Sequence, residues 1–463
     1  VENRGLDPVP DDERTGRVRA LLPTWVAANM TVLLLTVGAG LTVFNGLNFW
    51  QVLAVAVTAP VLSFGLVGLV SIAGKRGGAP GMALSRAVFG QRGNLFPGAL
   101  LWVARWGWET LNAVTGSYAL LAVLDLAFGI RSGHPLVLVT LTSFVAASFL
   151  VSGLGIRALR LCSRASAWLF GSVSLLVLVH LIGSTHWRTV LDRPPGPGAM
   201  TIAGIGTLAA GGISWVPSAP DFARYLPRSA SGRAMVAAAV GGALVTVGPM
   251  VMMGAVLAVG SPDLAVTKDP VAFIGELLPR WISVPYLLIA VVGMMLINAM
   301  SMYSAGFTAQ TLGFAVPRAW AVGVNAMISL LLGGALMLVA TSFVGTFLSF
   351  LTLLGVTFSA WIGVFGVDLL RGRTYDSAAL MDTTPGSGYW YTAGFSRQAM
   401  GAWGAALVTG LLLTDVEWFT GPLAATWVGR HGLGWAATIL VAAGVYGALP
   451  RPEDGTGGTP ARF

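Results

Sequence analysis

The sequence predicts an all-α polytopic membrane protein with about twelve transmembrane helices. Three observations predict it. Of 463 residues, 55% are hydrophobic and only 10% are charged, where a soluble domain carries about 25% charged residues. About twelve runs approach the ~20 apolar residues needed to cross a bilayer. They lie at roughly 25–46, 50–73, 97–124, 135–153, 166–184, 200–218, 234–260, 283–312, 319–340, 343–369, 399–414 and 432–449. The cations between these runs are also unevenly spread. With the N-terminus in the cytoplasm and the spans alternating, twenty Lys and Arg residues fall inside and six outside, leaving Arg105 within the third span. This is the positive-inside bias, and it places a multi-pass chain in the cell (inner/plasma) membrane with both termini cytoplasmic.

The net charge of +8 therefore reads as topology, and no nucleic-acid partner is expected. One cysteine, Cys162, permits no intramolecular disulfide, and the four histidines lack metal-ligand spacing, so neither a metal nor a cofactor is predicted. The first ~20 residues are polar and mixed in charge, so no cleavable signal peptide is expected. The lipid bilayer is the one macroscopic partner implied. Nothing in the sequence signals an oligomeric state.

Residues 1–22 form a cytoplasmic segment, 23–190 hold spans one to five, and 191–375 hold spans six to ten. The stretch "RPPGPG" (193–198) is a stiff linker between the halves. Residues 376–449 hold a loop and spans eleven and twelve, and the Gly/Pro-rich tail 450–463 is expected to be disordered.

Spans one and six differ from the others. Span one contains "TVGAGL" with Gly38 and Gly40; span six contains "AAGGISWVP" with Gly211, Gly212 and Pro217. Glycine weakens a helix and proline removes a backbone donor. In lipid, unwound backbone is tolerated only beside a cavity or inside protein. Interruptions at matching positions of two halves point to a transporter binding site, and breaks that open spans one and six are what two five-span repeats would require. Close helix packing is the alternative use of such glycines.

The third span is unusual as well. "ALLWVARWGWETLNAVTGSYALL" (99–121) keeps Arg105, Glu109 and three tryptophans within a stretch that crosses lipid. Intramembrane charges usually line a cavity. Arg105 and Glu109 are four residues apart and share a helix face; Trp108 and Asn112 extend that stripe. An Arg105–Glu109 pair that only holds the bundle together is the alternative. Trp102 and Trp106 are expected to pack rather than bind.

Several stretches resemble, in order, the nucleobase:cation symporter-1 family, the purine–cytosine permease family. "WVAANMTVLLLTVGAGL" (25–41) resembles its opening W-x-x-A-N-x-T-V with a glycine break. "SRAVFGQRGNLFPGALLW" (85–102), "GWETLN" (107–112), "PDFARYLPRSAS" (220–231), "NAMSMYSAGFTAQTLG" (298–313), and "VDLLRGRTYD" (367–376) with "GYWYTAGF" (388–395) follow. The likeness covers roughly residues 20–400. It implies two inverted five-helix repeats, a LeuT-like plan, plus two C-terminal helices, and cation-coupled uptake of a nucleobase, cytosine or a purine.

A nucleobase is flat, aromatic and edged with donors and acceptors. Its site needs a stacking plane, worth ~1–3 kcal/mol per base, and groups that read the edge. The resemblance puts the stacking tryptophan at Trp108 and an edge reader at Asn112; Glu109 can accept from a ring N–H or an exocyclic amine. Free backbone groups at Ser214 and Trp215 and the polar Asn298 and Ser301 of span eight are expected to complete it. Helix–helix hydrogen bonding is the alternative for Asn298. "PDFARYLP" and the pair Asp368 and Arg371 are expected to anchor or gate.

Sodium-coupled relatives of this fold use hydroxyls on span eight and carbonyls at the break of span one. Before Asn298 this sequence reads "MMLI", so a sodium site is not matched. A carboxyl in a low-dielectric site can carry a proton, which makes H+ the expected coupling cation, with Glu109 and Arg105 as the coupling residues, and Na+ the alternative. Alternating access is expected, with spans one, two, six and seven rocking against the rest. Another small heterocycle (a hydantoin, allantoin, hydroxymethylpyrimidine) or an amino acid is the alternative cargo. An intramembrane enzyme needs a catalytic constellation that the sequence does not display, so no catalytic residue is assigned.

Overall fold

A computed structural model describes residues 5–267, 269–314, 317–339 and 344–451. The first span is two short helices, α1 (Leu21–Ala27) and α2 (Leu33–Val43). Next come α3 (Phe49–Gly77), α4 (Gly81–Phe89), α5 (Leu95–Phe128), α6 (His134–Gly153), α7 (Ile156–Ser184) and the short α8 (Trp187–Leu191). The sixth span is again divided, into α9 (Gly198–Ile213) and α10 (Ala219–Ala223). The chain continues through α11 (Gly232–Gly260), α12 (Pro270–Leu277), α13 (Arg280–Thr311), α14 (Arg318–Leu338) and α15 (Val344–Leu370). It closes with α16 (Ser377–Met381), α17 (Arg397–Leu412), a two-strand ribbon of β1 (Asp415–Val416) and β2 (Phe419–Thr420), α18 (Trp427–Arg430) and α19 (Gly434–Ala448).

Among the described residues, nine helical segments are long and apolar enough to cross a membrane. The other three expected runs fall on the divided α1/α2 and on α17 and α19, which at 16 and 15 residues are too short to count among them. From residue 452 the expected disordered tail lies outside the described residues, as do Arg4, Lys268 and Arg462 of the charge count.

Polar caps start several helices where the chain leaves the apolar layer. Asn48 and Gln51 form a reciprocal capping box at α3, and Asp269 accepts from Val271 and Ala272 at α12, satisfying amides that a helix start leaves open. The helices sort into three packed groups. α1, α2, α3, α9, α10 and α11 contact one another; α5, α6, α13 and α14 form a second group; α15, α17 and α19 form a third. The first group holds spans one, two, six and seven. Large apolar side chains on α6, α7, α14 and α19, such as Leu150, Trp168, Leu331 and Leu440, are exposed, as a lipid-facing belt requires.

Two breaks position the site, and neither falls on the glycines from which it was predicted. Gly38 and Gly40 sit inside α2, and Gly211 and Gly212 inside α9. The first break is Ala28–Val32. There the Asn29 amide donates to the Trp25 carbonyl at 2.8 Å, and Thr31 Oγ1 accepts from the Leu33 amide at 3.1 Å. Asn and Thr side chains compete with the helix for its own backbone, and that competition opens the turn. Gly38 instead allows close approach: a Cβ there would lie 2.0 Å from the Val251 carbonyl oxygen of α11, and one on Gly254 the same distance from Leu35. This is small-residue packing between membrane helices. Gly40 meets only the Phe44 ring. In the sixth span the break is a 3₁₀ turn, Val216–Ser218, with prolines at 217 and 220.

One face of the bundle gathers the basic segments. Arg14 donates to the carbonyls of Val9 and Lys75, Gly16 to Tyr225, Arg76 to Leu369, and Arg86 to Thr311 and Leu380. On the same face the loop 388–395 docks on the turn after α4: Arg92 and Gly93 amides donate to Gly394, and Tyr391 Oη donates to Ala87. Asp368 does not pair with Arg371. It is held by Arg373 at 2.5 and 2.8 Å and by Tyr446 at 3.0 Å, while Arg371 donates to Gly447 and Leu449.

Candidate functional site

The first break, the C-terminal end of α9, the middles of α3, α5 and α13 and the first turns of α15 surround a cavity. Its empty volume is about 720 Å³ with the open mouth included. Asn29 and Thr31 reach it from the break, Pro60 and Ser63 from α3, Gly211 and Trp215 from the sixth span, and Phe347 from α15. Gly211 has no neighbour within 4 Å of a built Cβ, so its missing side chain is open space, whereas Gly212 packs on Ser63.

The α5 stripe enters this cavity. Arg105, Trp108 and Asn112 line it, and Ser301 faces them from α13. Trp108 is half-buried and braced edge-on by Phe347 and Phe350, with ring centroids 6.1 and 5.7 Å away. Such bracing fixes the indole plane. Among the described residues the indole N–H of Trp108 and the Asn112 Nδ2 have no partner. Buried polar groups are nearly always paired, so these two donors are free for whatever enters.

Glu109 is fully buried just behind the wall. Its Oε1 accepts from Ser301 Oγ at 3.1 Å and from Asn325 Nδ2 at 3.2 Å, while Oε2 has no partner. Asn325 in turn accepts, through Oδ1, the indole N–H groups of Trp102 at 2.9 Å and Trp106 at 3.1 Å. Trp102 and Trp106 thus pack against each other and also fix the amide that holds Glu109.

Arg105 goes elsewhere. Among the described residues no ion pair within 4 Å joins it to Glu109; it donates to Ser218 Oγ and to the Ser214 carbonyl at 3.5 Å, and its guanidinium lies 4.9 Å over the Trp215 ring. A guanidinium over an indole is a favourable cation–π arrangement. Ser304 Oγ is 2.7 Å from Ser218 Oγ and donates to Asp221 Oδ2 at 2.6 Å, and Asp221 Oδ1 accepts from the Gly81 amide at 2.8 Å. The self-neutralising Arg105–Glu109 pair is therefore replaced by two separate chains of hydrogen bonds.

The expected free backbone groups at Ser214 and Trp215 are engaged. Their amides donate to Ala210 and Gly212, and the Ser214 hydroxyl donates to Gly211 at 2.6 Å. Turning back into 3₁₀ geometry satisfies the groups that unwinding was expected to release. Ser214 stands behind the wall, and Trp215 contributes its ring. Asn298 is fully buried, does not line the cavity, and has no partner for either amide atom.

Sequence reasoning missed Asn29 and Thr31 as break-makers, Phe347, Asn325, and the Ser218–Ser304–Asp221 chain. Asn29 and Thr31 stand in the quoted "AANMT" run, and Asn325 is a lone amide in the apolar α14. That isolation was the available signal.

A family model described as "Permease for cytosine/purines, uracil, thiamine, allantoin" matches residues 8–433. The chain is 25% identical to "Putative purine-cytosine permease YxlA" of Bacillus subtilis (strain 168) over 98% of its own length and 96% of that protein. Its fold is similar to that of Mhp1, a nucleobase-cation-symport-1 family transporter solved in a closed conformation with bromovinylhydantoin bound. There the TM-score is 0.73 and the identity 18%, over 96% of this chain and 94% of that one. It also resembles a Na+-coupled sialic acid symporter, at TM-score 0.64 and 12% identity over 96% and 92% of the two chains. With the family match covering nearly the whole chain and the all-α fold with two divided spans in agreement, this protein belongs to the purine–cytosine permease, or nucleobase:cation symporter-1, family of secondary membrane transporters.

Proposed function

We propose that the chain imports a nucleobase, cytosine or a purine, in symport with a proton by alternating access. The observation that carries this is the cavity wall. It has an indole plane at Trp108, a second aromatic wall at Trp215, and unpaired edge donors at Asn112 and Trp108. A planar heterocycle uses all of these at once. Asn298, whose amide is unpaired one residue from the cavity-lining Ile297, joins the site when the helices shift during the cycle. In the same proposal the protein has twelve spans in two inverted five-helix repeats plus two, with the basic face in the cytoplasm.

Glu109 is the proposed proton carrier. One carboxylate oxygen is anchored by Ser301 and Asn325 and the other is unpaired, so a proton on Oε2 displaces no existing bond. Against sodium stands Gly293. It is an α13 residue beside the Met30 carbonyl of the first break, where a built Cβ would be 2.8 Å from that oxygen, and it brings no hydroxyl.

The test is uptake of labelled cytosine and adenine into proteoliposomes, with and without an inward proton gradient and sodium. Uptake driven by the proton gradient without sodium is expected. Strict sodium dependence overturns the coupling, and uptake of allantoin or a hydantoin with neither base competing overturns the cargo. That second cargo is kept because the family description includes allantoin and a structural neighbour was solved with a hydantoin bound.

A further inference from the structure

We propose that the basic face carries a binding site for an anionic phospholipid, in the crevice between the ends of α3 and α11 and the segment after α15. The crevice is large, about 2190 Å³ with its open mouth included, and its walls differ in chemistry along its depth. Toward the bilayer it is lined by Leu69, Ile72, Val236 and Val240; at the bundle's basic face it is lined by Lys75 and Arg233 together with Arg76, Arg228 and Arg373. Among the described residues no Asp or Glu lines it.

Two of these cations have already spent their charge. Arg373 is held by Asp368, and Arg228 by Asp11 at 3.0 Å. Lys75 and Arg233 have not. The Lys75 ammonium donates only to carbonyls, those of Ala230 at 2.5 Å and Arg228 at 3.3 Å. Among the described residues Arg233 has no ion pair. Arg233 also stands in the first turn of α11, a helix of 29 residues whose start Ser231 caps through the Ala234 amide and whose dipole there favours an anion. The Tyr375 hydroxyl in the same wall is buried and has no partner.

A phosphate with a glycerol and acyl chains fits this gradient. Its charge meets Lys75, Arg233 and the start of α11, Tyr375 donates to an oxygen, and the chains lie on the apolar wall. A water-soluble phosphate uses only the first half of the crevice. Basic pockets at membrane-helix ends are a known kind of headgroup site. The site touches α3 and α11, of the group holding spans one, two, six and seven, and the segment after α15, of the third group. A bound lipid therefore bridges the parts that move in the cycle.

The experiment uses delipidated full-length protein. Native mass spectrometry counts retained phosphatidylglycerol and phosphatidylcholine from mixed micelles, and thermal unfolding is read with each lipid. Expected is retention of phosphatidylglycerol but not phosphatidylcholine, lost in Lys75→Gln/Arg233→Gln and kept in Arg131→Gln/Arg188→Gln on the opposite face. Arg233→Glu is the second variant; its side chain has no partner to lose, so the fold survives and retention must still fall. Equal retention of both lipids, unchanged retention in Arg233→Glu, or displacement of the lipid by inorganic phosphate alone overturns the proposal.

Discussion

Trp108→Ala is the sharpest test of the cavity. The residue does two things. It offers its face to the cavity, and its edge packs against Phe347 and Phe350. Stacking a base on an indole is worth ~1–3 kcal/mol, so truncation should weaken cytosine or adenine binding about 5- to 140-fold. The edge contacts are worth ~0.5–1.5 kcal/mol each whether or not a ligand is present. The two effects separate in one pair of measurements: equilibrium binding to purified protein by calorimetry, and thermal unfolding of the ligand-free form. Trp108→Phe keeps an aromatic plane and should recover most of the affinity. Trp106→Ala is the internal comparison, because its indole bonds Asn325 outside the cavity and its loss leaves stacking intact. A folded Trp108→Ala protein that binds the base within about a factor of two of the parent, well under the smallest stacking loss, would refute the reasoning.

Four further outcomes follow. Glu109→Gln keeps both hydrogen bonds at Oε1 and removes the proton, so uptake driven by a pH gradient should stop while exchange of labelled for unlabelled base continues; retained pH-driven uptake excludes Glu109 as carrier. Asn325→Leu strands the indole N–H groups of Trp102 and Trp106 and one bond to Glu109, and a loss of about 2 kcal/mol or more is expected in a thermal melt. Gly38→Ala places a methyl 2.0 Å from the Val251 carbonyl and should cost about 3 kcal/mol or prevent folding, while Gly40→Ala, with only the Phe44 ring 3.5 Å away, should be tolerated. Burial pushes the Asp269 carboxyl up to about 6, against the pull of its bonds to the Ala272 and Val271 amides. Its contribution is then complete below the ordinary value of 3.8 and is lost as the pH rises through about 6, up to ~3 kcal/mol in all. Asp269→Asn should flatten the fall in unfolding temperature between pH 4.5 and 7.5.

What could be read from the sequence was what depends on residue type alone. Apolar length gave the spans, because lipid punishes every exposed polar group. Arginine placement gathered Arg14, Arg76, Arg86 and Arg371 on one face, because charged loops stay where the structure has water. The Arg105–Asn112 stripe was legible because charge in an apolar run has few innocent uses. Partnership was not legible. Helical spacing puts Arg105 beside Glu109, yet each finds a better partner across the bundle, in Ser218 and Asn325 respectively. Those partners lie 113 and 216 residues away in the chain, and local spacing carries no record of them. The breaks were misplaced for a related reason. Glycine lowers helix stability in isolation, but between membrane helices it allows close approach. The break itself comes from Asn29 and Thr31, which bond their own backbone.

The two hydrogen-bond chains divide the labour of a coupled cycle. Glu109, Ser301 and Asn325 all lie on α5, α13 and α14, within one packed group, so their bonds survive if that group moves as a unit. Arg105 and Ser304, by contrast, reach from this group to Ser214, Ser218 and Asp221 at the break of the sixth span, in the other group. Any rocking of one group on the other must break or remake those contacts. The cavity wall is where the two chains meet, because Arg105 and Ser301 both line it. A ligand that touches both therefore senses the joint between the groups, and Ser301 ties it to Glu109 through the bond to Oε1. Only a difference in affinity between conformations can drive transport. Under the proposed proton coupling, the proton would act on the rigid half of the site and Arg105 would carry the conformational half. Ser218→Ala should accordingly loosen the joint, raising exchange between inward- and outward-open forms in single-molecule distance measurements while leaving base affinity nearly unchanged. An unaltered exchange rate in that variant would sever the proposed link between Arg105 and the movement.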